Sequence, residues 1–197
     1  LLRGIAAELP GGFRKFVSWR NRMARRSSQA TVDLDRFDLA ILKILQQNNC
    51  TPQRAIGEAV NLSAPAIQRR IKRMHEAGVI IANVAVVDPT QIGRAITIFV
   101  EVEMNSESID EIDETKRSFA AAPEVQQCYY VAGGADFVLV VTVATMSEYE
   151  DLTRRLFFEN RSIRRFHTLV AMDRVKTGLS VPITLPGATN GARPSSP

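Results

Sequence analysis

The residues with the clearest chemistry lie at 62–80: Leu-Ser-Ala-Pro-Ala-Ile-Gln-Arg-Arg-Ile-Lys-Arg-Met-His-Glu-Ala-Gly-Val-Ile. Lys and Arg neutralise phosphates, and Arg and Gln make paired hydrogen bonds to guanine and adenine edges. Spacing decides what these side chains could reach. Ile67, Ile71 and Met74 recur at i, i+4 and i+7, so a helix would gather them into one apolar stripe. At about 100° per residue, Pro65, Gln68, Arg69, Lys72 and Arg73 point broadly away from that stripe. Ser63 is placed to cap the helix through its hydroxyl, and Pro65 falls in the first turn, where a missing N–H costs little. Gly78 suits the left-handed residue just past a helix end. The result is an amphipathic helix whose outer side is cationic and carries one glutamine, a combination that fits the major groove of duplex DNA. A solvated basic face would have the same composition, so the preceding elements must decide.

Asp33-Leu34-Asp35 opens a helical pattern that continues through Phe37, Ile41, Ile44 and Leu45 to about Gln47. Asn48-Asn49-Cys50 breaks it. Thr51-Pro52 then offers an N-cap and a first-turn proline for a short helix to Val60, with Ile56, Ala59 and Val60 turned inward. Asn61-Leu62 is the turn, since asparagine tolerates left-handed backbone. Helix, helix, short turn and basic helix is the helix-turn-helix order. Val79 to Val87 is rich in β-branched residues and reads as a strand that would form a wing. The expectation is a winged helix-turn-helix over residues 31–82, with a linker strand and hinge over 83–94.

Residues 95–185 alternate strand and helix signals. Ala95–Met104 reads as a strand, with Ile96, Ile98, Val100 and Val102 alternating against Thr97, Phe99, Glu101 and Glu103. Ser108 to Ala121 reads as a helix with a capping box to Glu111. Val125–Val131 and Phe137–Val143 are strands around Gly133-Gly134. Ser147 to Phe158 is a second helix, again Ser-x-x-Glu in style with Glu150, and Ile163–Met172 a closing strand. The order β-α-β-β-α-β is that of a ferredoxin-like sandwich, so the whole chain is α+β. Both helices would cover one face of the sheet. The other would stay apolar and exposed in a monomer, which predicts a dimer through the sheets.

Charge separates the two halves. Residues 1–90 hold 14 Lys and Arg against 7 Asp and Glu, whereas residues 91–197 hold 11 against 14. The amino-terminal half is therefore the one suited to a polyanion. Residues 1–30 include Arg14, Lys15, Arg20, Arg22, Arg25 and Arg26, with Glu8 the only acid. They read as a basic, flexible extension. An arm on the DNA backbone, a disordered extension and an organelle presequence all fit that composition. Residues 186–197 read as a disordered tail rich in Gly, Pro and Ser. No apolar run approaches the roughly 18 residues of a membrane span. Cys50 and Cys128 form no CxxC pair, and with only two histidines zinc is not expected. No catalytic constellation or phosphate-cradling loop stands out. His75 reads as a packing or surface residue, and His167 as a core, interface or ligand residue. Arg154, Arg155, Arg161, Arg164 and Arg165 are expected to pair with Glu148, Glu150 and Asp151.

Several motifs together resemble one family. Leu34-Asp35, Asp38, Ile41-Leu42, Leu45, Asn61-Leu62-Ser63, Ile67, Arg70-Ile71, Met74 and Gly78-Val79-Ile80 are similar to the amino-terminal signature of the Lrp/AsnC (feast/famine) regulators. Val87-Asp88-Pro89-Thr90-Gln91-Ile92-Gly93 is similar to that family's linker, and the resemblance runs to about Ile183. The family often has arginine where Cys50 stands and Leu-Ala where this chain has Ile56-Gly57. Gly57 inside a helix would cost up to about 1 kcal/mol relative to alanine.

The resemblance implies a cytoplasmic, nucleoid-associated transcription factor that is not an enzyme and needs no cofactor or metal. It would bind double-stranded DNA and a small-molecule effector, an amino acid or related compound, and form a homodimer that assembles to a tetramer or octamer. Candidate DNA contacts are Thr51 and Gln53, with Ser63, Ala64, Pro65, Gln68, Arg69, Arg70, Lys72 and Arg73. Of these, Gln68, Arg69 and Lys72 would reach bases, while Arg70 and Arg73 would hold phosphates. Val131-Ala132-Gly133-Gly134-Ala135-Asp136-Phe137 matches the family's Gly-x-x-Asp-aromatic motif. Glycines let a ligand approach the backbone, free N–H groups bind a carboxylate, and Asp136 could take an ammonium. Effector candidates are Tyr130, Ala132, Gly133, Gly134, Asp136 and Thr168. A plain hairpin turn would also explain the two glycines. The rivals are an enzyme resembling the sirohaem decarboxylases, built on a similar frame, and a ligand-independent architectural DNA-binding protein.

Overall fold

The computed structural model describes residues 32–106 and 108–186. The readings made above for residues 1–30 and for most of the tail lie outside them. The described residues form two units: 32–85 together with 176–186, and 86–175. Residues 176–186 group with the helical unit. Gln46 holds the Val181 backbone there, its Nε2 donating to the carbonyl at 3.1 Å and its Oε1 accepting from the N–H at 2.7 Å.

The first unit contains α1 (Arg36–Gln47), α2 (Gln53–Val60) and α3 (Ala64–Glu76). Asp35 caps α1 by accepting from the Phe37 and Asp38 N–H groups, and Asp38 returns the bond by accepting from Asp35 N, a capping box. Ile41, Ile56, Ile67 and Met74 form the fully buried centre, with Ile71 packed at its edge. Ala59, expected inside, is exposed. Its place is taken by Gly57, where a Cβ would sit 2.4 Å from the Leu62 carbonyl oxygen. Glycine here permits a close approach of backbone to helix, and the propensity cost read from the sequence is offset by that contact. Asn61 ends α2 in the left-handed conformation (φ 57°), and Gly78 does the same after α3 (φ 71°), both as the sequence implied.

Three local expectations fail. Ser63 precedes α3, but its hydroxyl makes no capping bond; its carbonyl instead accepts from Ala66 and Ile67. Thr51 does not cap α2, because its hydroxyl donates to the Asn48 carbonyl at 2.7 Å and the helix starts later, at Gln53. The expected wing strand is not formed: residues 81–87 are irregular, and Ile81, Val84 and Val86 are exposed. A run of β-branched residues favours extended backbone, yet a strand also requires a partner for its N–H and C=O groups.

The second unit contains β1 (Ile96–Met104), α4 (Ile109–Ala121), β2 (Val125–Tyr130), β3 (Phe137–Val143), α5 (Met146–Thr153, continuing into a π turn at Arg154–Phe158) and β4 (Ile163–Val170). The strands lie in the order β2-β3-β1-β4, all antiparallel, which is the split β-α-β arrangement expected. Ile98, Val100 and Val102 face Val141, Leu139 and Phe137 on one side of the sheet. Ile112 and Phe119 of α4 and Leu152, Leu156 and Phe157 of α5 and its π turn cover that side. The α5 cap is Thr145, which accepts from Glu148 N, and not Ser147; Ser108 precedes α4 without a side-chain cap. On the opposite face Phe99, Tyr129 and Leu169 are exposed beside Glu101 and His167, which face each other across β1 and β4. That face is mixed in character and not uniformly apolar. Of the arginine run, read as making interface ion pairs with Glu148, Glu150 and Asp151, three members pair within the chain: Arg155 with Glu124 at 2.9 Å, and Arg164 and Arg165 with Glu103. Those two guanidiniums, Arg165 first, hold the Glu103 carboxyl below its usual range. Glu148 instead accepts from the Ala144 N–H at 2.8 Å and from Arg94 at 2.7 Å.

Candidate nucleic-acid interface

Helix α3 is seated by its apolar stripe, with Ile67 and Met74 wholly buried. Seating that stripe leaves Pro65, Gln68, Arg69, Lys72 and Arg73 exposed, as the helical spacing required. Ser63 and Gln53 are exposed as well, while Ala64 and Thr51 are half-buried. Arg69 has no ion pair among the described residues. Lys72 lies 3.7 Å from Glu76 with 74% of its side chain exposed, a contact that solvent screens. The outer side of α3 therefore presents Gln68 with mobile cations on either side. His75 is exposed near the end of the helix, where a cation would face the last carbonyls.

Arg70 behaves differently. Its Nη1 donates to Asp35 Oδ2 and Asp38 Oδ1, each at 2.8 Å. The bond to Asp38 is the main reason its pKa rises above the ordinary arginine value. Arg73 also donates to Asp38 while remaining half exposed. Arg70, expected to hold a phosphate, is occupied inside the protein. Asp35, Leu62, Ala66, Arg69, Arg70 and Arg73 line a cleft of about 340 Å³ along this flank of the helix. Asp38 was legible as part of α1, but its partners lie 32 and 35 residues away, and no local pattern announces them.

In the second unit the β2–β3 hairpin brings together Tyr130, Ala132, Gly133 and Gly134. Neither glycine has a left-handed φ, and a Cβ on either would meet nothing within 4 Å. Within this chain, neither the turn nor packing requires glycine there. Lys116 lies 5.0 Å from the centroid of the Tyr130 ring, a cation at the hairpin that the sequence did not flag. Asp136 faces inward. It is 6% exposed, and its Oδ2 accepts from Met104 N at 2.8 Å, while its own N–H donates to the Val102 carbonyl. Its carboxylate thus pins the end of β1 and does not face outward toward an ammonium. Thr168 does not join the hairpin. It lies on β4, on the other side of β1, and its hydroxyl shares a 2.6 Å hydrogen bond with the Tyr149 hydroxyl.

Among the described residues no helix is long and apolar enough to cross a membrane. The winged helix-turn-helix DNA-binding family matches residues 34–81, and the Lrp/AsnC ligand binding domain matches residues 97–181. An uncharacterized HTH-type transcriptional regulator of Sinorhizobium fredii is 45% identical over 78% of this chain and 91% of that protein. The crystal structure of an AsnC family transcriptional regulator from Agrobacterium tumefaciens superposes with a TM-score of 0.71 at 31% identity, covering 76% of this chain and 97% of that one. A regulator from Neisseria meningitidis solved with L-Met shares the fold, with a TM-score of 0.71 at 23% identity over 76% of this chain and 97% of its own. The matched relatives are transcriptional regulators, which removes the decarboxylase alternative. A basic helix seated on a three-helix core, a four-stranded sheet that matches the ligand binding domain, and close likeness to regulators across both together make this chain a DNA-binding member of the Lrp/AsnC family of transcriptional regulators.

Proposed function

We propose that α3 enters the major groove and reads sequence there through Gln68, Arg69 and Lys72, with Arg73 and the exposed start of α2 at Gln53 against the phosphates. The observation that carries this is the exposure of Gln68, Arg69 and Lys72 on one side of a helix whose other side is fully buried. Side chains at these positions have the donors for base edges and the freedom to reach them. A homodimer through the outer sheet faces would set two such helices on a pseudo-palindromic site, one helical turn or a multiple of it apart. Assembly to a tetramer or octamer and a cytoplasmic place of action accompany this reading. Replacing Arg69 with alanine should cost about 1–3 kcal/mol on a site selected from genomic fragments and relax one base preference. Gel shifts against selected and scrambled duplexes check it. Equal losses on both would reassign Arg69 to the backbone.

The effector on this reading is an amino acid held at the β2–β3 hairpin. The support is the pair of glycines that neither backbone nor packing explains, flanked by Tyr130 and Lys116. The Lys116 ammonium, which pairs with Asp113 at 2.7 Å, and the backbone N–H groups of the turn suit a carboxylate, while the absence of side chains at 133 and 134 lets it approach. The L-Met found with the Neisseria regulator has that chemistry. Titration calorimetry against the twenty amino acids should give heat for one or a few of them, and Gly133→Val should abolish it. A ligand that binds equally well before and after the substitution would move the effector site elsewhere.

A further inference from the structure

Four side chains of α3 carry positive charge away from the core, at 69, 70, 72 and 73. Two of them meet one carboxylate. Asp38 is wholly buried, and its oxygens are fully engaged: Oδ1 by Arg70, Oδ2 by Arg73 and by Asp35 N. The last bond is half of the α1 capping box, so the carboxylate cannot rotate away without losing that half. Arg70 is held further by Asp35 and lies 5.5 Å from the centroid of the Phe37 ring. One quarter of its side chain is exposed, against half for Arg73.

We propose that Asp38 is a specificity-determining positioning residue for DNA binding: it withholds Arg70 from the phosphates, shares Arg73 with them, and so limits sequence-independent affinity. The inference rests on α3 being the groove element. Phosphate contacts tighten every DNA alike, whereas base contacts separate one sequence from another. Because non-specific sites vastly outnumber specific ones, a regulator gains discrimination by keeping its phosphate contacts few. A helix whose full cationic set faced DNA would bind anywhere. Here the buried acid on α1 neutralises part of that set and leaves Arg69 and Lys72 as the cations that no buried acid holds.

The test measures binding of the full chain to a mixed-sequence duplex by fluorescence anisotropy, from about 50 to 200 mM NaCl. Asp38→Asn should bind it several-fold tighter at the lowest salt, with the slope of log K against log salt steeper by about 0.9 for each guanidinium released. Arg70→Gln should leave the slope as it is, since Arg70 meets no phosphate. A merely structural strut would give weaker binding in Asp38→Asn with no steeper slope, and that result in a variant of unchanged melting temperature overturns the inference. If Asp38→Asn does not fold, Arg70→Gln decides. A slope shallower by about 0.9 in that variant would place Arg70 on a phosphate and overturn the inference as well. Lys72→Ala and Arg69→Ala separate this failure from that of the groove reading: if neither weakens binding, α3 is not on the DNA and both proposals fall.

Discussion

Replacing Ile67 with alanine is expected to abolish DNA binding while leaving the sheet unit folded. Ile67 is completely buried, and among the described residues Ile41, Ile56 and Met74 are the other buried hydrophobic residues of the helical unit's core. Truncating such a residue costs about 2–5 kcal/mol, partly from lost transfer energy and partly from the cavity left behind. Small domains bury a smaller share of their surface and hold a total stability near the low end of about 5–15 kcal/mol, so one core cavity consumes much of it. The loss falls directly on α3, because Ile67 is the first buried residue of the stripe that seats it. Circular dichroism should show helix lost at ordinary temperature, and anisotropy should show no binding to selected or mixed-sequence DNA. The sheet unit has its own core and should melt as in the native chain. Ile67→Val, costing about 0.5–1.5 kcal/mol, should retain binding. An Ile67→Ala chain that binds DNA normally would show that the stripe does not set the helix.

The parts of this fold legible in the sequence are those governed by a short period. The 3.6-residue recurrence of Ile67, Ile71 and Met74 placed α3, and strict alternation at Ile98, Val100 and Val102 placed β1 and its buried face. Asn61 and Gly78 were readable because few residues tolerate their backbone. What failed depends on partners distant in sequence. A serine ahead of a helix has the right chemistry for a cap, but the Ser63 and Ser108 hydroxyls satisfy no helix N–H. Gly57 resembled a weak point until the Leu62 carbonyl was seen against it. The wing residues have strand propensity, but no strand among the described residues pairs with them.

The same division runs through the site. The outward side of α3 follows from helical geometry alone, so Gln68, Arg69 and Lys72 emerge where expected. Arg70 differs from Arg69 by one position, or about 100° of helix, which turns it from solvent toward Asp35 and Asp38. Helical spacing sets Arg70 nearer the core edge than Arg69, but its acidic partners lie 35 and 32 residues away and no local pattern announces them. Asp136 shows the converse: its motif suggested a ligand to an ammonium, and the fold uses it to accept the Met104 N–H at the end of β1. A buried N–H without that acceptor would cost about 1–3 kcal/mol, so a structural demand suffices to explain an acid there. The hairpin glycines are the part of the motif that the described chain leaves unexplained, which is why they carry the effector reading.

Phe119→Ala should give the opposite phenotype to Ile67→Ala. Phe119 is fully buried on α4, and its ring meets Phe137 of β3 edge-on at 5.4 Å and Phe157 of the π turn at 5.9 Å. It thereby joins both covering elements to the sheet, and each such aromatic pair is worth about 0.5–1.5 kcal/mol beyond the area it buries. The truncation should cost about 3–5 kcal/mol. At about 4–8 °C per kcal/mol, the transition of the sheet unit should fall by more than about 12 °C. With the sheet loosened, the pairing of sheets proposed above is lost, and so is the fixed separation of two reading helices. Each helical unit would keep its own core and the weak, salt-sensitive affinity of a single α3. Sedimentation should then report monomer at concentrations where the native chain assembles, and affinity for a selected two-half-site duplex should fall toward that for one half-site. A Phe119→Ala chain that assembles normally and still prefers two half-sites at native spacing would separate assembly from this core. A chain whose melting is lowered but whose DNA discrimination is intact would place specificity in the helical unit alone.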